Sequence, residues 1–149
     1  MANLDRSRAR GWALQALYAA DLRGEDRPSA VLDDFLRSRR VGPSRRPYLR
    51  WLVETVEEHR DDLDERIRGA LTNWRLERLS AIDRNVLRIG AAELEHAADV
   101  PPRVAIQEAI RLAERYGTSE SARFVNGVMD ALYRGAGDRD GPPPRENTA

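Results

Sequence analysis

The sequence predicts an all-α fold, a compact helical bundle of about six to seven helices in two packed three-helix halves. Apolar residues recur at three- and four-residue spacings over most of residues 5–134, the period of an amphipathic helix. Val, Ile and Thr never alternate with polar residues as in a strand, and no Asn-Gly or Asp-Gly turn joins two such runs. With 149 residues, 41% of them apolar, the chain is long enough for one domain with a hydrophobic core.

Three helices are predicted in the first half. The first covers residues 5–23 and stops at Gly24. The second begins at Pro28, a favourable first helical residue, and ends before Gly42-Pro43. The third is predicted to run without a break over about 45–71, with acidic residues along its solvent side.

A loop near residues 72–80 separates the two predicted halves and contains one short helical turn. Ser80 and Asp83 have the spacing of a capping box, which predicts a helix over about 81–97. Asp99-Val-Pro-Pro102 breaks that helix, and Pro102 is well placed to open the next one.

Gly117 closes this next helix, and Thr118-Ser119 is predicted to cap a last helix over about 120–134 that Gly135 ends. Residues 1–134 are therefore one predicted domain. Residues 135–149, composed of Gly, Pro and charged residues, are predicted to be a flexible tail.

The composition disfavours most enzyme chemistry. The chain has no cysteine, which excludes a thiol nucleophile and a cysteine metal site. It has only two histidines, which provides few ligands for the usual zinc hydrolase sites. No Gly-x-Gly-x-x-Gly, Gly-Lys-Ser or Gly-x-Ser-x-Gly motif is present. The paired carboxylates, such as Glu57 and Asp61, lie on the polar side of a helix. We predict no catalytic residue, cofactor or metal site, and no enzymatic activity.

Charge is unevenly distributed although the net charge is zero. All 25 basic residues are arginine; residues 1–50 carry +5 and residues 51–100 carry −5. This asymmetry suggests nucleic acid on the basic side and a basic partner on the acidic side, the alternative being two merely solvated surfaces. Residues 1–10 lack the apolar segment of a signal peptide, and no apolar run reaches the length of a membrane span, which predicts a cytoplasmic protein.

Three arginines, Arg6, Arg8 and Arg10, precede the first apolar turn. Cations are unfavourable at a helix amino terminus, so a role in binding successive phosphates is one reading of the cluster. A solvated, frayed terminus is the other reading. Tyr18, two turns beyond Arg10, is either a ring on which a base stacks or a core tyrosine.

Residues 117–124 form a second candidate anion site, because a helix amino terminus offers free backbone amides. Arg123 adds a charge and Phe124 a possible stacking surface, the alternatives being a plain helix cap and core packing. Asn126-Gly127 is interpreted as structural, since glycine inside a helix suggests close approach of a second helix.

Several motifs, in order, resemble the NusB family of bacterial transcription antitermination factors. They are Arg8-Ala9-Arg10 with Gln15-Ala-Leu-Tyr18, Asp83-Arg-Asn-Val-Leu-Arg-Ile89, Glu93-Leu94, Asp99-Val-Pro101, Val104-Ala-Ile106, Glu108-Ala-Ile110 and Arg123-Phe-Val-Asn-Gly-Val128. The resemblance covers about residues 5–134; it is weak over 25–75 and strong over 82–134.

The resemblance implies an all-helical RNA-binding adaptor. Family members bind the boxA element of ribosomal RNA transcripts together with NusE, a ribosomal protein, and help to assemble the antitermination complex on RNA polymerase. It implies these RNA-binding residues: Arg6, Arg8, Arg10, Tyr18, Glu120, Arg123 and Phe124. It also implies that Asp83 and Arg88 face NusE, and the acidic middle of the chain fits a basic ribosomal protein. A carboxylate such as Glu120 would accept a hydrogen bond from a base or sugar rather than bind phosphate.

Two other classes of function are compatible with a helical domain of this kind. NusB-like domains also resemble the front part of some ribosomal RNA cytosine methyltransferases, but this sequence holds neither a glycine-rich cofactor loop nor a cysteine nucleophile. The second alternative is a helical scaffold or homodimer without an RNA role. Whether the chain is monomeric or dimeric is left open by the sequence.

Overall fold

The computed structural model describes residues 2–137, which form seven α-helices, two 3-10 turns and no strand. The all-α prediction is confirmed. The helices are α1 (Ala2–Arg23), α2 (Pro28–Ser38), α3 (Arg46–Glu58), α4 (Arg60–Ala70), α5 (Ala81–His96), α6 (Pro102–Tyr116) and α7 (Ser121–Gly137), and the 3-10 turns are Pro43–Arg45 and Leu76–Arg78. No helix in these residues is long and apolar enough to cross a bilayer.

The predicted third helix is broken in the middle, so the prediction of one uninterrupted helix is wrong. His59 takes a non-helical conformation (φ −105°, ψ 19°), which ends α3 and lets α4 begin at Arg60. Its imidazole ring stacks on that of His96, with ring centroids 4.1 Å apart. The break contains neither proline nor glycine, so local sequence does not reveal it.

The break changes where the two halves meet. Helices α1, α2 and α3 pack on one another, as do α5, α6 and α7, while α4 packs on α5 and α7 far more than on α3. The two-half arrangement is confirmed, but the boundary lies at His59 rather than in the loop near 72–80, and α4 joins the second half. Helix α1 also packs along α5 and so holds the halves together.

One continuous apolar core runs through both halves. Its largest fully buried apolar side chains come from every helix except α6: Leu14, Leu32, Leu49, Leu52, Leu63, Ile67, Leu87, Ile89 and Met129, with Leu76 from the second 3-10 turn. Burying a side chain of this kind contributes roughly 1.5–3 kcal/mol each. Helix α6 contributes small residues instead, among them Ala109 and Ala113, which lets it lie close to its neighbours.

The helix ends agree largely with the predictions. The hydroxyl of Ser80 accepts a hydrogen bond from the amide of Asp83 at 3.1 Å, which confirms the cap of α5. The predicted cap of α7 by Thr118-Ser119 is only partly right: the hydroxyl of Thr118 accepts from the amide of Glu120 at 3.4 Å, while the amide of Thr118 donates to the hydroxyl of Ser121 at 3.0 Å. Helix α7 extends through Gly137, beyond its predicted end. The rest of the predicted tail, residues 138–149, lies outside the described residues.

The interpretation of Gly127 as a point of close helix contact is wrong. A Cβ placed there would meet no other atom within 4 Å. The close approach occurs instead at Gly90 of α5, where a Cβ would lie 2.5 Å from the sulfur of Met129 and 3.4 Å from the Cβ of Ala109. The glycine that brings helices together is therefore on α5, facing both α6 and α7.

Candidate RNA and partner interfaces

One face of α1 is exposed at both ends of the helix and covered in the middle, where Gly11 is buried. Residues spaced by four and three positions return to the same side of a helix. On α1 this spacing defines the α1 stripe, which consists of Leu4, Arg8, Gly11, Gln15, Tyr18 and Leu22. Arg8 is exposed, Tyr18 is half-buried, and Leu4 and Leu22 are 52% and 66% exposed. Arg8 has no ion pair among residues 2–137, so its charge is available to a ligand.

The α1 stripe adjoins the junction between α6 and α7. A Cβ added at Gly11 would lie 3.3 Å from the hydroxyl oxygen of Tyr116, the last residue of α6. Four residues then lead to the start of α7 at Ser121. The middle of the α1 stripe therefore lies against the end of α6, directly before the second candidate segment, residues 117–124.

The first turns of α7 present the remaining candidates. Glu120, just before α7, and Arg123 are exposed, and Phe124 is half-buried against the core. The ring of Phe124 contacts that of Trp74 in a T-shaped arrangement, with centroids 6.4 Å apart and an interplanar angle of 72°. Arg123 has no ion pair within the described part of the chain.

Trp74 is a candidate that the sequence analysis missed. It lies in the loop between α4 and the second 3-10 turn and is 59% exposed. The preceding residue, Asn73, has the left-handed φ of 63° that asparagine tolerates better than most residues. A lone tryptophan among polar residues in a predicted loop was the available signal.

Arg6 lies on a different side of α1 and is partly engaged. Its guanidinium donates to Asp99 at 2.6 Å and lies 4.6 Å from the ring centroid of Tyr48. The hydrogen bond with Asp99 raises the pKa of Arg6, and the same bond lowers the pKa of Asp99. With 32% of its side chain exposed, Arg6 can still approach a phosphate while it holds α1 to the loop before α6.

Arg10 is not on the surface, so a direct contact with RNA is contradicted by its position. Its side chain is 3% exposed, and its Nε lies 2.9 and 2.8 Å from the two carboxylate oxygens of Glu93. Tyr48 also donates to Glu93, and Glu108 lies 3.6 Å from Arg10. Burial raises the pKa of Glu93, an effect that Arg10 opposes. This buried cluster joins α1, α3, α5 and α6 and holds the α1 stripe in place.

Arg88 is likewise buried, which contradicts a direct contact with NusE. Its guanidinium donates to both oxygens of Asp64 at 2.8 and 3.1 Å and to Asp21 at 3.2 Å. Asp21 also accepts from Asn85 at 2.9 Å and from Arg84 at 3.1 Å. Burial alone would raise the pKa of Asp21, but these donors lower it overall. The cluster fastens α1 to α4 and α5.

Asp83, the other candidate for a protein partner, lies on the first turn of α5 and is partly exposed. One of its carboxylate oxygens is shielded from solvent and has no hydrogen-bond partner among residues 2–137. The partly exposed remainder of the Asp83 side chain is what a partner could contact.

The described residues include no group of three or more side chains that could hold a metal ion. The exposed arginines beside half-exposed rings are suited to RNA, because guanidinium groups bind phosphates and rings stack on bases. Fold and surface together define a class: a small all-helical protein whose exposed arginines and rings are suited to a nucleic-acid ligand.

Comparison with known proteins places the chain within this class. The model of the NusB family matches residues 7–134, and the chain belongs to the NusB family. The transcription antitermination protein NusB of Sorangium cellulosum is 46% identical over 137 residues, which cover 91% of this chain and 97% of that protein.

Solved structures of NusB proteins have the same fold as this chain. NusB of T. maritima is 34% identical and superposes with a TM-score of 0.78, covering 87% of this chain and 90% of that one. The NusB chain in a crystal structure of the antitermination factors NusB and NusE in complex with dsRNA is 30% identical, also with a TM-score of 0.78, covering 87% of this chain and 96% of that one.

Proposed function

We propose that this protein is a transcription antitermination factor that binds boxA RNA of ribosomal RNA transcripts together with NusE and helps to assemble the antitermination complex on RNA polymerase. The observation that carries the proposal is the α1 stripe beside the α6–α7 junction. There, the unpaired Arg8 and Arg123 accompany the rings of Tyr18 and Phe124. The proposal is supported by a structure, 30% identical in sequence, of the antitermination factors NusB and NusE in complex with dsRNA.

Each side chain of this surface has a chemical role. Arg8 and Arg123 bind phosphates, with Arg6 as a partly engaged third contact, and they supply salt-dependent affinity. Tyr18 and Phe124 stack on unpaired bases, and Glu120 accepts a hydrogen bond from a base amino group or a ribose hydroxyl. Arg10 acts as a positioning residue, because its ion pair with Glu93 holds α1 in register.

The contact with NusE is assigned to the start of α5. Asp83 is partly exposed there, so a cationic group of a partner can approach its side chain. Residues 51–100 carry a net charge of −5, which suits a basic partner. Arg88 holds α5 in position from the interior, through its hydrogen bonds to Asp64 and Asp21.

The protein acts by binding rather than by catalysis, in the cytoplasm where transcripts are made. Its surface chemistry is that of an adaptor, because its exposed arginines and rings can hold RNA while a different region meets a protein. No step of this function requires a cofactor.

The test is binding of a labelled boxA RNA, with and without NusE, over a range of salt concentrations. We expect selective binding over a scrambled RNA, strengthened by NusE and weakened by salt. Duplex RNA of the same sequence serves as a competitor that separates single-strand from double-strand recognition. Equal binding to boxA and scrambled RNA in the presence of NusE would overturn the proposal.

A homodimer is the second candidate, and the exposed leucines favour it. Leu4 and Leu22 of the α1 stripe are both more than half exposed, and pairing of two such stripes would bury them together with Arg8 and Tyr18. Sedimentation at several concentrations, with and without boxA RNA, tests this. A dimer that RNA dissociates would mean that the dimer hides the RNA surface.

A further inference from the structure

We propose that Trp74 and Phe124 form a stacking site for an unpaired base of the bound RNA. This inference deepens the proposed function and rests on it. It adds to the RNA surface the loop between α4 and α5, which lies outside the α1 stripe and outside the first turns of α7.

The geometry of the two rings leaves room for an RNA base to stack on one of them. Trp74 and Phe124 meet at 72° with centroids 6.4 Å apart. In such a T-shaped pair at least one ring keeps both faces free of its partner. Trp74 is 59% exposed, whereas the other two tryptophans, Trp12 and Trp51, are half-buried and pack against the core. The indole is therefore open to a ligand.

The loop that displays Trp74 is anchored, so the exposure is a property of an ordered segment. Leu76, two residues later, is 2% exposed in the core, and Leu71 on the other side is also buried. The left-handed Asn73 turns the chain between these two anchors. Tryptophan is enriched where proteins meet their partners, so an exposed indole on an ordered segment is a candidate contact.

The surrounding charge identifies the ligand as nucleic acid. Arg75, Arg78 and Arg123 are all exposed, and within residues 2–137 none of them has an ion pair. The neighbouring acid Glu77 is neutralised by Arg68, at 2.7 Å. Arg75 and Arg78 follow Trp74 along the chain and Arg123 precedes Phe124, and exposed guanidinium groups near exposed rings fit a base with its flanking phosphates. An apolar peptide would leave these charges without partners.

The experiment compares Trp74→Ala, Trp74→Phe and the control Tyr133→Ala in binding of labelled boxA RNA with NusE. Tyr133 is another exposed aromatic residue of α7. We expect Trp74→Ala to weaken binding about tenfold or more, because base stacking on one aromatic ring contributes an effect of this size. Trp74→Phe should retain most of the affinity, and the control should bind like the unmodified protein.

Tryptophan fluorescence supplies an independent readout. BoxA RNA should quench the emission of the unmodified protein, and Trp74→Phe should lose most of that quenching while it still binds RNA. Unchanged affinity of Trp74→Ala, or quenching that persists in Trp74→Phe, would overturn the inference and leave the proposed function standing. If the unmodified protein itself does not select boxA RNA, the proposed function and this inference are both overturned.

Discussion

At the scale of single residues, the arginines at the start of α1 have three different environments. Arg6 is clamped by Asp99 and Tyr48, Arg8 is free in solvent, and Arg10 is buried on Glu93. A helix turns by about 100° per residue, so Arg8 points away from the face that Arg6 and Arg10 share. Arg6 and Arg10 differ because the first meets the exposed Asp99 and the second meets the buried Glu93. Three identical side chains therefore have three roles: Arg6 forms an ion pair at the surface, Arg8 is open to a ligand, and Arg10 supports the fold from the interior.

Replacement of Arg8 by alanine tests the surface contact. Loss of one phosphate contact should lower the slope of log K against log salt by about 0.7, with the free energy of unfolding unchanged. The measurement is RNA titration at several salt concentrations. Arg37→Ala is the matched control, because Arg37 is 72% exposed on α2 and, within residues 2–137, pairs only with Asp34. An unchanged slope for Arg8→Ala would remove this residue from the interface.

Replacement of Arg10 by alanine should act on stability. It leaves the buried Glu93 without its cation, which costs about 3–5 kcal/mol for a buried pair. Urea denaturation measures the loss. Arg10→Ala combined with Glu93→Gln should recover part of it, because the second change removes the unpaired charge. Near-normal stability together with a reduced salt slope would show that Arg10 is a surface residue after all.

At the scale of elements, one helix glycine is needed for packing and another is not. Gly90 is enclosed by Met129 and Ala109, whereas Gly127 faces open space. A glycine in a helix without a packing reason lowers stability, since it has more conformational freedom to lose on folding.

Gly127→Ala should accordingly raise the free energy of unfolding by about 1 kcal/mol. Gly90→Ala is the paired control and should lower it by about 1–3 kcal/mol, because the new methyl group would displace Met129. Thermal or urea unfolding of both variants checks the opposite signs. Destabilisation by Gly127→Ala would mean that α7 packs more tightly there than the structure shows.

At the scale of the whole molecule, the stacked histidines make the stability of the folded chain depend on pH. His59 lies at the break between α3 and α4, and His96 ends α5. Burial, and next the neighbouring His59, lower the pKa of His96 below its ordinary 6.5. The unfolded chain therefore binds more protons than the folded one just below pH 6.5, so this group makes the protein less stable as pH falls through that region.

Urea denaturation at pH 7.5 and pH 5.5 checks this sign. We expect the unmodified protein to lose more stability between these two values than His96→Gln does. His59→Gln should also reduce the loss, since it removes the neighbouring positive charge. An equal pH dependence in all three proteins would show that the histidine pair does not contribute.

By itself the sequence determined the fold class, most helix limits, the cap at Ser80 and the candidate surface, because periodicity, capping and motif order are local properties of the chain. Only the tertiary structure decided the break at His59 and the burial of Arg10 and Arg88. It also decided the exposure of Gly127 and the pairing of Trp74 with Phe124. The physical reason is that each of these depends on what another helix places opposite the residue. A guanidinium group is a surface ligand or a buried support according to the carboxylate it meets, and Glu93 and Asp64 lie 83 and 24 positions from their arginines.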